Sequence, residues 1–267
     1  MMYKLMAFDV DGTLVNSDKE ILASTRRAIR AAHQAGVRTM ISSGRPAAGL
    51  EFIALDLGDD LVDYLSCLNG SLVVDRTSQE KLLATYLTDD QVKEITSFAQ
   101  AFGFDVNGHG DQHVLAAWEP RFPYIALEAE VVHMPYKVVD FSLLDQPFHK
   151  LMITGHPEDL VFLRSKLPLD WHDRYHIVQS APYFLEFSPL GASKGQALAK
   201  LAEKLGIAQD QVMAFGDQEN DISMLEWAGT GVAMGNATDQ VKAVAQYITK
   251  SNDDHGIAQA IEALVLV

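Results

Sequence analysis

Short apolar runs alternate with amphipathic stretches through the first third of the chain. "YKLMAF" is apolar and stops at Asp9, which predicts a buried strand with an acid at its end. "NSDKEILASTRRAIRAAHQAG" has helical spacing; Ser17 and Asp18 are of the types that cap a helix start, and Gly36 is of the type that ends one. "VRTMIS" predicts the next strand, and Pro46, after "SGR", suits the first turn of another helix. "YLSCLNGSLVVD" predicts two strand pieces around a turn at Asn69-Gly70. The last third repeats the rhythm: helix "KGQALAKLAEKLG", strand "QVMAFGD", helix "ENDISMLEWAG", strand "TGVAMG", helix "QVKAVA". Alternation at this spacing predicts an α/β fold, Rossmann-like, with a central parallel sheet and helices on both faces.

The middle breaks the pattern. Eight of the nine prolines lie from Pro120 to Pro189, and four histidines from His109 to His149. Strands such as "KVVDF" and "HKLMITG" mix with helices such as "TDDQVKEITSFAQAFG". The shift predicts an inserted α/β domain over residues 84–188. Residues 1–83 and 189–267 would then fold together as one discontinuous core.

Composition narrows the classes. The chain has 267 residues, 48% hydrophobic and 21% charged, enough for two domains. A net charge of -15 without a Lys/Arg-rich run argues against nucleic-acid binding. It also means that an anionic substrate would need a local cation. Cys67 is the only cysteine, so no intrachain disulfide can form, and its apolar neighbours make it a small buried hydrophobe. No apolar run is long enough to span a bilayer, and Asp9 falls where a signal peptide would be apolar. A cytoplasmic protein without a membrane partner is expected, as monomer or homodimer.

The chemistry sits at the strand ends. Ligands of open parallel sheets bind beyond the carboxyl ends of the strands. One strand ends in Asp9-Val10-Asp11-Gly12-Thr13 and a second in Ser42-Ser43-Gly44-Arg45. A third ends in Gly216-Asp217, with Asn220 and Asp221 close behind, and Lys194 opens the preceding helix. Carboxylates that converge call for a hard cation with oxygen ligands. Asp9, Asp217 and Asp221, with the backbone carbonyl of Asp11, suit Mg²⁺. Three aspartates and a phosphate dianion total about minus five, and Mg²⁺ with Lys194 returns about plus three, so Asp11 is expected to be protonated for part of the cycle. Asp9 is then the candidate nucleophile and Asp11 the candidate general acid and base. Amides at Gly12 and the hydroxyl of Ser43 suit phosphate oxygens. Strand alternation lets only one of Ser42 and Ser43 face the site.

These motifs resemble the haloacid dehalogenase-like superfamily of phosphatases, closest to its Cof-type sugar-phosphatase branch with a large α/β cap. "DVDGTL", "SSGRP", "SKG" and "GDQENDISML" match its four motifs in order, and "LNGS", "GVAMGNA" and "DDHGIAQAI" also look like that branch. The second motif more often carries Thr where Ser43 stands. The resemblance implies that Asp9 is nucleophile and metal ligand, and Asp11 acid/base and carbonyl ligand. It implies that Ser43 and Lys194 bind phosphate and that Asp217 and Asp221 are metal-side acids. Asn220 would face the phosphate or a metal-bound water, and Gly44, Arg45 and Asn69 are candidate substrate contacts. The expected protein is a Mg²⁺-dependent phosphomonoester hydrolase acting on a small phosphorylated metabolite, such as a sugar phosphate, through an aspartyl phosphate, with a cap that moves.

Other readings compete. "DVDG" is also a turn sequence, Ser42 or Ser43 could cap a helix, and Lys194 could be a solvated helix residue. Asp217 and Asp221 could be acids favoured by a helix dipole, and Arg45 could pair with a nearby acid. Asp9, Asp11 and Glu20 fall at EF-hand positions, but Leu14 stands where the glycine is required. A phosphosugar mutase or a phosphosugar-binding regulator without turnover could use the same fold. His109 and His113 have metal-ligand spacing, yet "NGHGDQH" reads as a loop, one that could belong to the cap's substrate face. Trp118, Tyr124 and Tyr136 read as packing residues.

Overall fold

The computed structural model describes residues 3–110, 112–144 and 146–266. They divide into two compact units, one running to Leu83 and resuming at Ser193, the other Ala84–Ala192. The return crossing falls at Ala192/Ser193 rather than at 188/189, because the last strand of the inserted unit runs on through Pro189.

The first segment supplies β1 (Leu5–Asp9), α1 (Ala23–Gln34), β2 (Arg38–Ser42), α2 (Ala47–Leu57), β3 (Tyr64–Cys67), β4 (Leu72–Asp75) and β5 (Lys81–Ala84). Every residue of β1 is buried, as expected of an apolar strand covered on both faces. The start of α1 differs from expectation. Ser17 and Asp18 do not cap it; Leu22 holds the cap position, with no side-chain bond. Asn16 and Glu20 instead close a turn, Asn16 N–H on Glu20 O at 2.9 Å and Glu20 N–H on Asn16 Oδ1 at 2.8 Å. Ser17 gives both its N–H and its hydroxyl to Asp253, at 2.8 Å each. Pro46 stands just ahead of α2, not inside it, and neither Ser42 nor Ser43 caps that helix.

The inserted unit contributes α3 (Asp89–Phe102), β6 (Asp105–His109), β7 (Val114–Ala116), α4 (Tyr124–Val131), β8 (Tyr136–Val138), β9 (Leu151–Thr154), α5 (Pro157–Arg164), β10 (Tyr175–Ala181) and β11 (Phe184–Pro189). Its sheet runs β10-β11-β9-β6-β7-β8. Thr88 and Gln91 form a reciprocal capping box on α3, and Gly103 ends it at φ 79°. Val106, Leu151, Ile153, Leu185 and Phe187 share an apolar cluster with Ile95 and Ala99 of α3 and Leu160 and Leu163 of α5. The stretch expected to be a loop, "NGHGDQH", is instead half strand. Asn107, Gly108 and His109 finish β6 and pair with β7, and His109 Nε2 lies 2.9 Å from Glu128 Oε1. Asp111, in the same stretch, lies outside the described residues.

The chain returns through α6 (Lys194–Leu205), β12 (Val212–Gly216), α7 (Ile222–Trp227), β13 (Thr230–Ala233), α8 (Asp239–Val244), β14 (Tyr247–Ile248) and α9 (Gly256–Leu264). The core sheet runs β14-β13-β12-β1-β2-β3-β4-β5. Neighbours from β14 to β3 are parallel, but β4 returns antiparallel to β3, so the sheet is mixed rather than purely parallel. The cause is the short 3-10 turn Leu68–Gly70, too brief for the crossover that a parallel pair requires. Among the described residues no helix is long and apolar enough to cross a membrane.

Candidate active site

The parallel register of β12, β1, β2 and β3 brings four strand ends to one edge. Phe8 pairs with Phe215 and Asp9 with Ser42, so Asp9, Ser43 and the Gly216-Asp217 step emerge side by side. Phe8 and Phe215 also stack, with ring centroids 4.7 Å apart, which locks the two acid-bearing strands together. Lys194 opens α6, capped by Ser193, whose hydroxyl accepts the Gln196 N–H at 3.2 Å. Gly70 explains how α6 comes so close. Its φ is 91°, and a Cβ there would lie 2.3 Å from Ser193 O.

Asp9, Asp217 and Asp221 each offer a carboxylate oxygen, all within 4.8 Å of one another, and all three residues are buried. Lys194 Nζ, wholly buried, donates to Asp9 Oδ1 and to Asp221 Oδ1, both at 2.6 Å. The other oxygen of Asp221 accepts the backbone N–H groups of Asp217 and Gln218 at 2.9 and 3.0 Å. Asp221 therefore also does the backbone-capping work of a helix-start acid. Thr13 donates its hydroxyl to Asp217 Oδ1 at 2.8 Å. Gly12, at φ 82°, lets the first loop approach; a Cβ there would lie 2.4 Å from Asp217 Oδ2.

This crowding has an electrostatic signature. Burial, then the charge of Asp221, pushes the Asp9 carboxyl up to about 8 against the pull of Lys194. Burial also raises Asp217, with the Thr13 hydrogen bond opposing and Asp221 adding to the rise. Lys194 is raised as well, because Asp221 and Asp9 outweigh the effect of its burial. The donor set, three carboxylates around one point, fits a hard divalent cation.

Asp11 behaves differently. Its side chain is 43% exposed and is gripped by Arg45, with Nε at 3.2 Å and a terminal nitrogen at 3.0 Å, and by Lys19 at 3.1 Å. Burial would raise its carboxyl, but Arg45 and Lys19 together hold it below the usual range. This geometry favours the carboxylate form of Asp11, the form that would act as a base; the protonated form expected for part of the cycle requires Arg45 and Lys19 to release it. Arg45 has the acid partner that its alternative reading supposed.

The remaining expected residues also gather at this edge. Ser42 turns inward, its hydroxyl donating to Ser66 Oγ at 3.1 Å, so Ser43 is the serine at the strand end. Ser43 Oγ accepts the Arg45 N–H at 3.4 Å, and its carbonyl accepts the Asn69 N–H at 2.9 Å. Asn69, at φ 55°, receives the side-chain amide of Asn220 at 3.2 Å, and a Cβ on Gly44 would lie 3.4 Å from the Asn69 amide. Residues that the sequence left without a role also stand here. Thr13 holds Asp217, Lys19 holds Asp11, and Gln218 Nε2 reaches Asp217 Oδ2 at 3.2 Å. Thr13 and Gln218 adjoin motif acids, a signal that was available; Lys19 carried none.

The family model of haloacid dehalogenase-like hydrolases matches residues 6–261. The 5-amino-6-(5-phospho-D-ribitylamino)uracil phosphatase YcsE of Bacillus subtilis is 35% identical, over 98% of this chain and 96% of that one. A haloacid dehalogenase-like hydrolase from Bacteroides thetaiotaomicron superposes with a TM-score of 0.89 at 33% identity, covering 98% of this chain and 99% of the other. A structure described as a HAD subclass IIB sugar phosphatase superposes with a TM-score of 0.81 at 26% identity, over 99% and 100% of the two chains. With its strand-end acids, its inserted unit and a match along nearly its whole length, the chain belongs to the haloacid dehalogenase-like hydrolase family.

Proposed function

We propose that the protein is a Mg²⁺-dependent phosphomonoester hydrolase acting on small phosphorylated metabolites, sugar phosphates among them. The observation that carries this reading is the buried cluster of Asp9, Asp217 and Asp221, bridged by Lys194 at the carboxyl edge of the sheet. A lone lysine leaves such a cluster short of positive charge. Asp9, Asp217, Asp221 and the Asp11 carbonyl would hold a divalent cation, which would keep Asp9 ionised and offset the charge of the incoming dianion.

Asp9 attacks phosphorus, and the bond to the alcohol oxygen breaks as that oxygen takes a proton from Asp11. Water then attacks the aspartyl phosphate, gives a proton to Asp11 and releases inorganic phosphate, which restores Asp9. Lys194 and Ser43 hold the phosphoryl oxygens, and Asn220 supports the nearby water or phosphate. The ion pair with Arg45 suits the half of the cycle in which Asp11 is a base. For the other half, Arg45 must release Asp11, and the substrate is the partner to which it turns, with Gly44 and Asn69 beside it. Choice of the organic group is assigned to the inserted unit, as the family resemblance implies.

The test is phosphate release across a panel of phosphorylated metabolites, with and without EDTA. Turnover is expected with at least one sugar phosphate, abolished by chelation and restored by Mg²⁺. Isomerised sugar phosphate without free phosphate would point to a mutase, and binding without turnover to a regulator; either result overturns the proposal.

A further inference from the structure

We infer that Asn236 and Asn252 are positioning residues: they clamp the turn that carries Asp11 and thereby set the speed of proton transfer to the leaving group. The inference rests on the reading of Asp11 as acid and base. Asn236 comes from the "GNA" stretch after β13, and Asn252 from the "SND" stretch between β14 and α9. The mechanism above uses neither stretch.

The two carboxamides form a chain of directed bonds. Asn236 Nδ2 donates to Gly12 O at 2.8 Å, and Asn236 Oδ1 accepts the Asn252 backbone N–H at 3.0 Å. Asn252 Nδ2 donates to Val15 O at 3.0 Å. One strut thus fixes the carbonyls at both ends of the segment from Gly12 to Val15. Each amide spends an N–H on a carbonyl, and Asn236 also spends its oxygen on an N–H, so the orientation of Asn236 is set by its partners. The next residues tie down the same segment, since Ser17 is held by Asp253.

The segment has reason to need a strut. Gly12, at φ 82°, has no Cβ to restrict it, and it directly follows Asp11. Asp11 is nearly half exposed and its carboxyl is held by Arg45 and Lys19 rather than by packing, so once those cations release it the backbone of this turn sets where the carboxyl lies. Two of the turn's internal bonds are long, Thr13 N–H to Val10 O at 3.3 Å and Leu14 N–H to Asp9 O at 3.2 Å, beside one of ordinary length, Val15 N–H to Val10 O at 3.0 Å. Asn236 is itself exposed and contributes little packing, which leaves the hydrogen bonds as its contribution. A misplaced acid slows a reaction in proportion to how much that reaction needs its proton.

The experiment uses that dependence. Wild type, Asn236→Ala, Asn236→Asp, Asn252→Ala and Asp11→Asn are compared in single turnovers with excess enzyme and Mg²⁺. Release of an alcohol from an alkyl phosphate is set against release of p-nitrophenolate from p-nitrophenyl phosphate, which departs without a proton. For Asn236→Ala, alcohol release is expected to fall about 10- to 100-fold and p-nitrophenolate release less than about 3-fold, with an unchanged unfolding midpoint. Asn236→Asp, which sets an oxygen against the Gly12 carbonyl, is expected to fall at least as far, and Asn252→Ala less far. If Asp11→Asn separates the two substrates and the Asn236 variants slow both equally or neither, the positioning role is overturned and the reading of Asp11 stands. If Asp11→Asn slows both substrates equally, the reading of Asp11 falls and takes the inference with it.

Discussion

Among the described residues two lysines are buried, and the acids around them differ. In the inserted unit, Lys150 pairs with Glu186 at 3.0 Å, with side chains 3% and 8% exposed. In the core, Lys194 faces Asp9 and Asp221 at 2.6 Å each, with Asp217 close by. The first sets a buried cation beside a buried acid, Glu186. The second sets one cation against three acids, and the chain answers with an Asp9 carboxyl pushed up to about 8 by burial and by Asp221. A buried pair of opposite charges can be purely structural. An excess of buried acid destabilises the fold unless another cation joins it, which is why the core cluster, and not the pair in the inserted unit, marks the chemistry.

The sharpest way to break this contrast is Asp9→Asn. It removes the nucleophile, so turnover is expected to fall at least roughly 10³-fold, measured as phosphate release. It also removes one of the crowded acids. In EDTA the variant is therefore expected to unfold no earlier than wild type in a urea titration. A lower midpoint would show that the cluster is not overcharged. Lys194→Met takes away the cation that bridges Asp9 and Asp221 and is expected to cost about 3–5 kcal/mol in EDTA. Saturating Mg²⁺ should recover part of that loss.

Glu186→Gln makes the opposite test in the inserted unit. It leaves Lys150 buried beside a neutral amide, and a cost of about 1–3 kcal/mol is expected by urea unfolding. Here Mg²⁺ and EDTA should make no difference. A metal-dependent loss would erase the distinction between the two lysines.

How much of this was legible beforehand follows the same division. The core could be read because two of the acids stand where a buried strand stops: an apolar run halted by Asp9 or by Gly216-Asp217 leaves few places for the charge to go. Sheet register then did the gathering. Partnership was harder to read. Nothing in "DGTLVNSDKE" says that Lys19 reaches back to Asp11, or that Ser17 spends its bonds on Asp253 rather than on capping α1. Those choices depend on residues more than two hundred positions away, or on a turn whose geometry only the fold defines. The ion pair of Asp11 was missed for this reason: the sum over formal charges left out Arg45 and Lys19, which hold its carboxyl low in this geometry. In the inserted unit, "NGHGDQH" misled because two glycines suggested a loop, whereas pairing with β7 and β9 carries Asn107 to His109 in a strand.

The smallest expected effect concerns an acid whose partners are in balance. Glu94, on α3, accepts from Arg174 at 2.7 Å, from the Tyr175 hydroxyl at 2.5 Å and from Trp171 Nε1 at 3.2 Å. The Arg174 hydrogen bond, against the opposing effect of burial and with help from Tyr175 and Trp171, holds its carboxyl below the usual glutamate range. A carboxyl depressed in the folded state stabilises the fold above its unfolded value, and the benefit fades as pH falls through the folded one. Stability from Glu94 should thus be complete at neutral pH and drain away below about pH 4.5. The side chain is about a third exposed, so solvent limits the contribution to under about 1 kcal/mol. Urea midpoints of wild type and Glu94→Gln should differ at pH 7 and converge toward pH 3. A gap that widens in acid would mean that the hydrogen bonds of Glu94, and not its charge, hold Trp171 and Tyr175 in place. The contrast drawn from the lysines would then not extend to the exposed edge of the inserted unit.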